Sequence, residues 1–280
     1  MTAVLALWRS CHPGPTVVVT ALSALLGLAA AVPPGRIALL VAAVFVGQLS
    51  IGWSNDAIDA HRDRAVGRAD KPIARGEISA RTVGIAGGVA LAVALGVSAA
   101  LGPAFLTAHA VFLVSAWSYN AGLKRTVVSL APFLVSFGLL PTLATLAGVP
   151  PQPAPVWAWI AGAALGAAVH LTNVLPDLDD DARTGVRGLP HRLGARASTL
   201  LAVAGLLVGA AAALLGPVGG DPRAVAPLSW LFFAAVAALA AVTVVVALTR
   251  PRGRVLFTLV MVSALLLAAQ LVATGSALAA

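Results

Sequence analysis

Apolar residues in this chain run in long blocks, and short polar segments separate the blocks. A helix needs roughly 20 apolar residues to cross the hydrocarbon of a bilayer. Nine stretches reach that length or come near it: Pro15–Val32, Ile37–Ser54, Val83–Leu101, Ala104–Tyr119, Val127–Val149, Val156–Leu175, Ser198–Leu215, Leu228–Leu248 and Val255–Leu278. Turn residues punctuate several of the gaps, as in Pro33-Pro34-Gly35, Gly102-Pro103, Pro150-Pro151 and Gly216-Pro217. The pattern predicts an all-α integral membrane protein of about nine transmembrane helices, with residues 1–280 forming one polytopic domain. Arg9 followed by the first block resembles a signal peptide. The rest of the chain is equally apolar, so the block reads as the first span.

Composition agrees with lipid as the main solvent. Of 280 residues, 60% are hydrophobic and only 10% charged, with a mean hydropathy of +0.97. Soluble domains carry about 25% charged residues. The 27 glycines and 18 prolines would weaken a soluble bundle. Membrane helices tolerate them, because neighbouring groups re-satisfy the freed backbone. The single cysteine, Cys11, excludes an intrachain disulfide and has no metal-ligand spacing around it.

Charge sets the orientation. With the N-terminus in the cytoplasm, 16 of the 18 Lys and Arg residues fall on the cytoplasmic side, leaving Arg36 and Arg223 opposite. The positive-inside rule selects this arrangement, and nine spans then place the C-terminus outside the cell membrane. The net charge of +8 does not point to nucleic acid, because the basic residues sit in short loops without a basic aromatic module. Arg250, Arg252 and Arg254 read as positive-inside anchors.

Acidic residues follow a sharper rule. Nine of the ten lie in the two cytoplasmic segments that follow helices 2 and 6. Topology does not require this, since acidic residues contribute little to orientation. The first cluster, Asn55-Asp56-x-x-Asp59-x-x-x-Asp63, places its oxygens on one face if helix 2 continues. The second, Asp177-x-Asp179-Asp180-Asp181, again has carboxylates four residues apart. Like charges so spaced repel each other, and a divalent cation removes that cost. Hard oxygen ligands suit magnesium, which commonly shares them with substrate phosphates. Arg62, Arg64, Arg68, Lys71 and Arg75 follow the first cluster, Arg183, Arg187 and Arg192 the second, and Lys124 and Arg125 lie between. Carboxylates, magnesium and a ring of Lys and Arg make a diphosphate site. The competing reading of each cluster alone is a solvated acidic loop. The equivalent placement of the two segments also suggests pseudo-repeats, without evident sequence identity between the halves.

These motifs resemble the signatures of the UbiA superfamily of intramembrane prenyltransferases. Asn55 to Asp63, followed by Asp70-Lys71-Pro72-Ile73-Ala74-Arg75-Gly76, is similar to the first signature. Asp177-x-x-x-Asp181, with Gly185 and Leu189-Pro190-His191-Arg192-Leu193-Gly194, is similar to the second. Tyr119-Asn120-x-Gly122-Leu123-Lys124-Arg125 resembles the loop between helices 4 and 5. The resemblance implies helices around a central cavity with both motifs at its cytoplasmic mouth, and a prenyl diphosphate held there through Mg2+. By position it implies metal roles for Asn55, Asp56, Asp59, Asp63, Asp177 and Asp181, with Asp59, Asp63, Asp177 and Asp181 at the catalytic centre. It implies diphosphate binding by Arg68, Lys71, Lys124 and Arg187.

Polar residues inside apolar spans are candidates for choosing an acceptor. Gln48, His109, Asn120, His170, Asn173 and Gln270 qualify, and Tyr119 stands near the same mouth. His170 and Asn173, one turn apart, would face the cavity; the alternative for each of these residues is an interhelical hydrogen bond. Trp8, Trp157, Trp159 and Trp230 read as interfacial anchors, whereas Trp53 and Trp117 are either anchors or cation–π partners of a carbocation. The expected activity is transfer of a prenyl group to an aromatic, quinone-like or lipid acceptor. The alternatives are a membrane terpene cyclase acting on a prenyl diphosphate alone and, from a different class, a lipid or small-molecule transporter. Transporter sites lie near the midplane, which the edge position of the two clusters disfavours.

Overall fold

The computed structural model describes residues 2–249, 254–274 and 278. Arg250 and Arg252 therefore lie outside the described residues, as does part of the last expected span. All regular structure among the described residues is helical. A short helix α1 (Ala3–Ser10) meets α2 (Pro13–Ala29) at a 67° bend. Then come α3 (Pro34–Ala65), α4 (Ala80–Ala100), α5 (Pro103–Ala121), α6 (Ala131–Leu146) and α7 (Val156–Asn173). A short α8 (Leu178–Arg183) precedes α9 (Leu189–Leu215), α10 (Pro227–Thr249) and α11 (Arg254–Ala273).

Six of these helices, α3, α4, α7, α9, α10 and α11, are long and apolar enough to cross a membrane, and the bent α1–α2 pair makes a seventh. α5 and α6 fall short of that criterion. The polar side chains Thr107, His109, Ser115 and Asn120 dilute α5, and α6 has only 16 residues.

The longest helix departs most from expectation. The span predicted to stop at Ser54 continues unbroken to Ala65. The Asn55–Asp63 cluster therefore stands on the last turns of α3 rather than in a loop after it. The 32 residues of α3 extend about 48 Å at 1.5 Å per residue, against a hydrocarbon thickness of about 30 Å. One end must emerge from lipid, and the charged end is the one that can. The second acidic cluster likewise folds into a 3-10 turn (Leu175–Asp177) and α8. α9 begins nine residues earlier than predicted and breaks at Gly194, whose φ of 79° lies in the left-handed region that favours glycine.

Six helices close a ring. α2 packs on α3, α3 on α5, α5 on α6, α6 on α7, α7 on α11, and α11 returns to α2. α4, α9 and α10 pack outside it, against α3, α7 and α9 respectively. Small residues bring the walls close. A Cβ on Gly162 or Gly166 of α7 would lie 2.2 Å from the Phe137 carbonyl oxygen or 2.4 Å from that of Phe133, both on α6. Lipid supplies no hydrophobic force between helices, so such close backbone contact carries the packing.

Candidate active site

The ring encloses a cavity of about 190 Å³. Its inner wall is apolar, with Val19, Phe112, Phe133, Phe137, Leu140 and Met261. Its other end is polar, where Gln48, Asn55, Tyr119, Asn120, Asn173 and His12 face it. The carboxylates begin directly behind this polar rim.

Asp56, Asp59 and Asp63, at 1%, 3% and 3% exposed, are buried on α3. Buried carboxylates demand cationic partners. Asp56 Oδ1 accepts from Lys71 Nζ and lies 3.0 Å from His12 Nε2. Asp56 Oδ2 is buried with no hydrogen-bond partner. Both oxygens of Asp59 accept from Lys124 Nζ, at 2.5 and 2.6 Å. Arg62 then ties the two motifs together. Its Nη2 donates to Asp59 Oδ2 at 2.9 Å and lies 3.7 Å from Asp63 Oδ1, while its Nη1 donates to Asp181 Oδ1 at 2.6 Å. Arg68 makes a second link, 3.2 Å from Asp177 and forked onto Asp70 at 2.9 and 3.1 Å. Those bonds hold the Asp70 carboxyl well below the usual carboxylate range, against burial, and raise the Arg68 guanidinium. Burial pushes the Lys124 ammonium below its ordinary value, and Asp59 pulls it back.

The remaining candidates divide. Asn55 donates to Asn120 Oδ1 at 3.1 Å, and Asn120 donates in turn to Ser54 Oγ and the Ile51 carbonyl. Asn173 and Tyr119 line the cavity, but His170 does not. It is buried behind Tyr119 and Phe133, 3.1 Å from Ser129 Oγ, so packing between helices takes the position expected to face substrate. His109 bonds Ser98 on α4, and Gln270 donates to the Ala213 carbonyl on α9; both make interhelical bonds. Trp53 donates to the Leu7 carbonyl and Trp117 to Ser50 Oγ. Neither lines the cavity, which removes them as partners for a carbocation there. Arg187 is exposed and forms no ion pair with the described residues.

His12 escaped the sequence reading altogether. It sits at the α1–α2 bend with φ 57° and ψ 69°, an uncommon conformation for a residue with a Cβ. The bend crosses α3 at Gly52, where a Cβ would lie 2.2 Å from the Cys11 carbonyl oxygen. One helical turn further along α3 is Asp56, so the close crossing puts His12 beside that carboxylate. No local sequence signal marks this, because the partners are 44 residues apart.

No group of three acidic, His or Cys side chains among the described residues converges on one metal position. Arg62 instead supplies the positive charge between Asp59 and Asp181. The donor set is nevertheless one of hard oxygens, and the unpartnered Asp56 Oδ2 is an anionic atom that a cation would satisfy.

A cavity enclosed by apolar helices, polar at one end and with two carboxylate clusters joined just behind that end, is the candidate site. The UbiA prenyltransferase family model matches residues 16–266, and the chain belongs to that family. No curated protein matches it in sequence. Solved structures share the fold. A UbiA homologue from Aeropyrum pernix K1, in its apo form, matches with TM-score 0.77 at 17% identity, covering 93% of this chain and 98% of that one. A UbiA homologue from Archaeoglobus fulgidus bound to GPP and Mg2+ matches with TM-score 0.71 at 16% identity, covering 98% and 99%. A structure concerned with digeranylgeranylglyceryl phosphate synthase in membranes matches with TM-score 0.69 at 15% identity, covering 99% of both chains.

Proposed function

We propose that this chain is a magnesium-dependent prenyltransferase of the cell membrane, moving a prenyl group from a prenyl diphosphate to an aromatic, quinone-like or lipid acceptor. One observation carries the reading: the two Asp motifs meet across the Arg62 guanidinium beside the polar end of an apolar cavity. The fold it shares with a homologue bound to GPP and Mg2+ supports the same ligand class. The reading includes nine spans, with α5 and α6 crossing inside the bundle. The N-terminus and both motifs face the cytoplasm and the C-terminus lies outside.

Asp59, Asp63, Asp177 and Asp181, with Asn55 and Asp56 beside them, would hold the metal. When bound, magnesium supplies charge neutralisation for the departing diphosphate. Arg62 must turn aside from Asp59 and Asp181 to admit it. The chain's own cations then have a second task. Lys71, Lys124 and Arg68, each paired to a carboxylate, are positioned to meet the diphosphate oxygens, and Arg187 can join from its exposed position. Positive charge aimed at a leaving group favours ionisation to an allylic carbocation. The Phe112, Phe133 and Phe137 wall excludes water that would otherwise capture that cation. Tyr119, Asn120 and Asn173 border the space from which an acceptor would approach.

The test is diphosphate release by purified protein given magnesium, prenyl diphosphates and a panel of acceptors, with mass analysis of products. The Asp59→Ala, Asp177→Ala double variant is expected to lose release. Unchanged release from a folded double variant would refute the site. Cyclic hydrocarbon formed without acceptor would replace transfer by cyclisation.

A further inference from the structure

Two buried imidazoles have no part in the chemistry above, and both lie behind the second motif. His170 on α7 is 1% exposed, and the His191 side chain on α9 is 7% exposed. Neither ring nitrogen of His191 has a hydrogen-bond partner among the described residues, and His170 Nδ1 has none either. A buried donor left unpaired is destabilising, so an acceptor within reach decides what it can do. Asp181 Oδ2 lies 3.5 Å from His191 Nε2, just beyond a hydrogen bond. The other oxygen of that carboxylate accepts from Arg62 at 2.6 Å.

Packing fixes where His191 stands. Gly188, just before α9, crosses the turn between α5 and α6 so closely that a Cβ there would lie 2.5 Å from the Lys124 carbonyl oxygen. The Leu189 N–H donates to Ser129 Oγ at 2.9 Å, and Ser129 Oγ lies 3.1 Å from His170 Nε2. Pro190 sets φ in the first turn of α9. The start of α9 is therefore tied both to α7 and to the turn that carries Lys124, and His191 belongs to that first turn.

From this geometry we infer that His191 is a positioning residue for Asp181. Arg62 and His191 flank one carboxylate, each beside a different oxygen. When Arg62 turns aside for the metal, Asp181 loses its donor on Oδ1. The Nε2–H of His191 can then close on Oδ2, so the carboxylate keeps its aim. Donors behind ligating groups fix their direction, and losing one costs roughly 10- to 100-fold in metal affinity. The inference rests on the magnesium reading and adds a residue that acts through a ligand rather than on the metal.

The experiment titrates Mn2+, a paramagnetic stand-in for Mg2+, into purified protein with the unreactive analogue geranyl thiolodiphosphate, and reads free Mn2+ by electron paramagnetic resonance. No turnover is needed. His191→Ala is expected to weaken Mn2+ binding roughly 10- to 100-fold. His191→Phe keeps the ring and removes the donor, so it should bind as weakly; it also stands in should His191→Ala not accumulate as folded protein. His191→Gln keeps an N–H near the place of Nε2 and should restore binding to within a few-fold of the parent. Parent-like binding by the Phe variant, or a Gln variant as weak as the Phe variant, would overturn the inference alone. A parent protein that binds no Mn2+ with the analogue would overturn the magnesium–diphosphate reading, and the inference with it.

Discussion

Lys124 is the most committed cation of the site. It is 5% exposed, and it donates to both oxygens of Asp59 from the turn between α5 and α6. An ammonium so placed is preorganised, with little reorganisation left to make when charge develops on a diphosphate. Lys124→Met keeps the length of the side chain and removes the charge. It is expected to lower the rate of diphosphate release by about 10²- to 10³-fold at saturating substrate, the range found for single donors to a developing anion. A rate within a few-fold of the parent would assign Lys124 to folding alone. Arg62 differs in kind. It touches three carboxylates from two segments of the chain, so it neutralises the cluster in a way that the incoming metal would take over.

Among the elements, the α1–α2 bend and α3 form the joint on which the first motif depends. The bend passes α3 at Gly52, and His12 then reaches Asp56. Gly52→Ala places a methyl group where only hydrogen fits. Overpacking of this kind costs about 1–3 kcal/mol. The variant is expected to melt at a lower temperature in detergent. It should also lose affinity for magnesium and diphosphate, as α1 moves away from Asp56. His12→Ala, which leaves the crossing intact, should spare most of the stability. Equal melting temperatures for the Gly52→Ala variant and the parent would remove Gly52 from this role. α7 plays the corresponding part for the aromatic wall, since Gly162 and Gly166 let α6 approach near enough to present Phe133 and Phe137.

At the scale of the whole molecule, the ring of six helices encloses the candidate-site cavity, and Arg62 joins both motifs beside its polar end. Orientation in the membrane is testable. Cys11, the single cysteine, is replaced first, and new cysteines are placed singly at Arg75 and Arg223. Intact cells treated with an impermeant thiol reagent should label the Arg223→Cys protein and not the Arg75→Cys protein. The reverse pattern would invert the topology. Equal labelling at both positions would refute the single orientation.

Much of this architecture was legible in the sequence, for a physical reason. Lipid forces long apolar blocks on any chain that crosses it, and carboxylates spaced four apart at the end of such a block advertise a shared face. Asp56, Asp59 and Asp63, with Lys71 and Lys124, were therefore visible as a cluster. The facing of uncharged polar residues was not. Most long helices here are apolar nearly all round, so no polar stripe tells which side meets the cavity and which meets a neighbour. His170 and Asn173, one turn apart, look alike in sequence, yet the structure turns one to Ser129 and the other to the cavity. His12 beside Asp56 and Arg62 between Asp59 and Asp181 each depend on contacts between distant segments. Sequence alone marked the apolar blocks, of which six helices and the bent α1–α2 pair are long and apolar enough to cross a membrane, and the acidic and basic groups at their ends, because those follow from solvent and spacing. The tertiary structure decided which of these groups meet, because that depends on how closely glycine-lined helices pack.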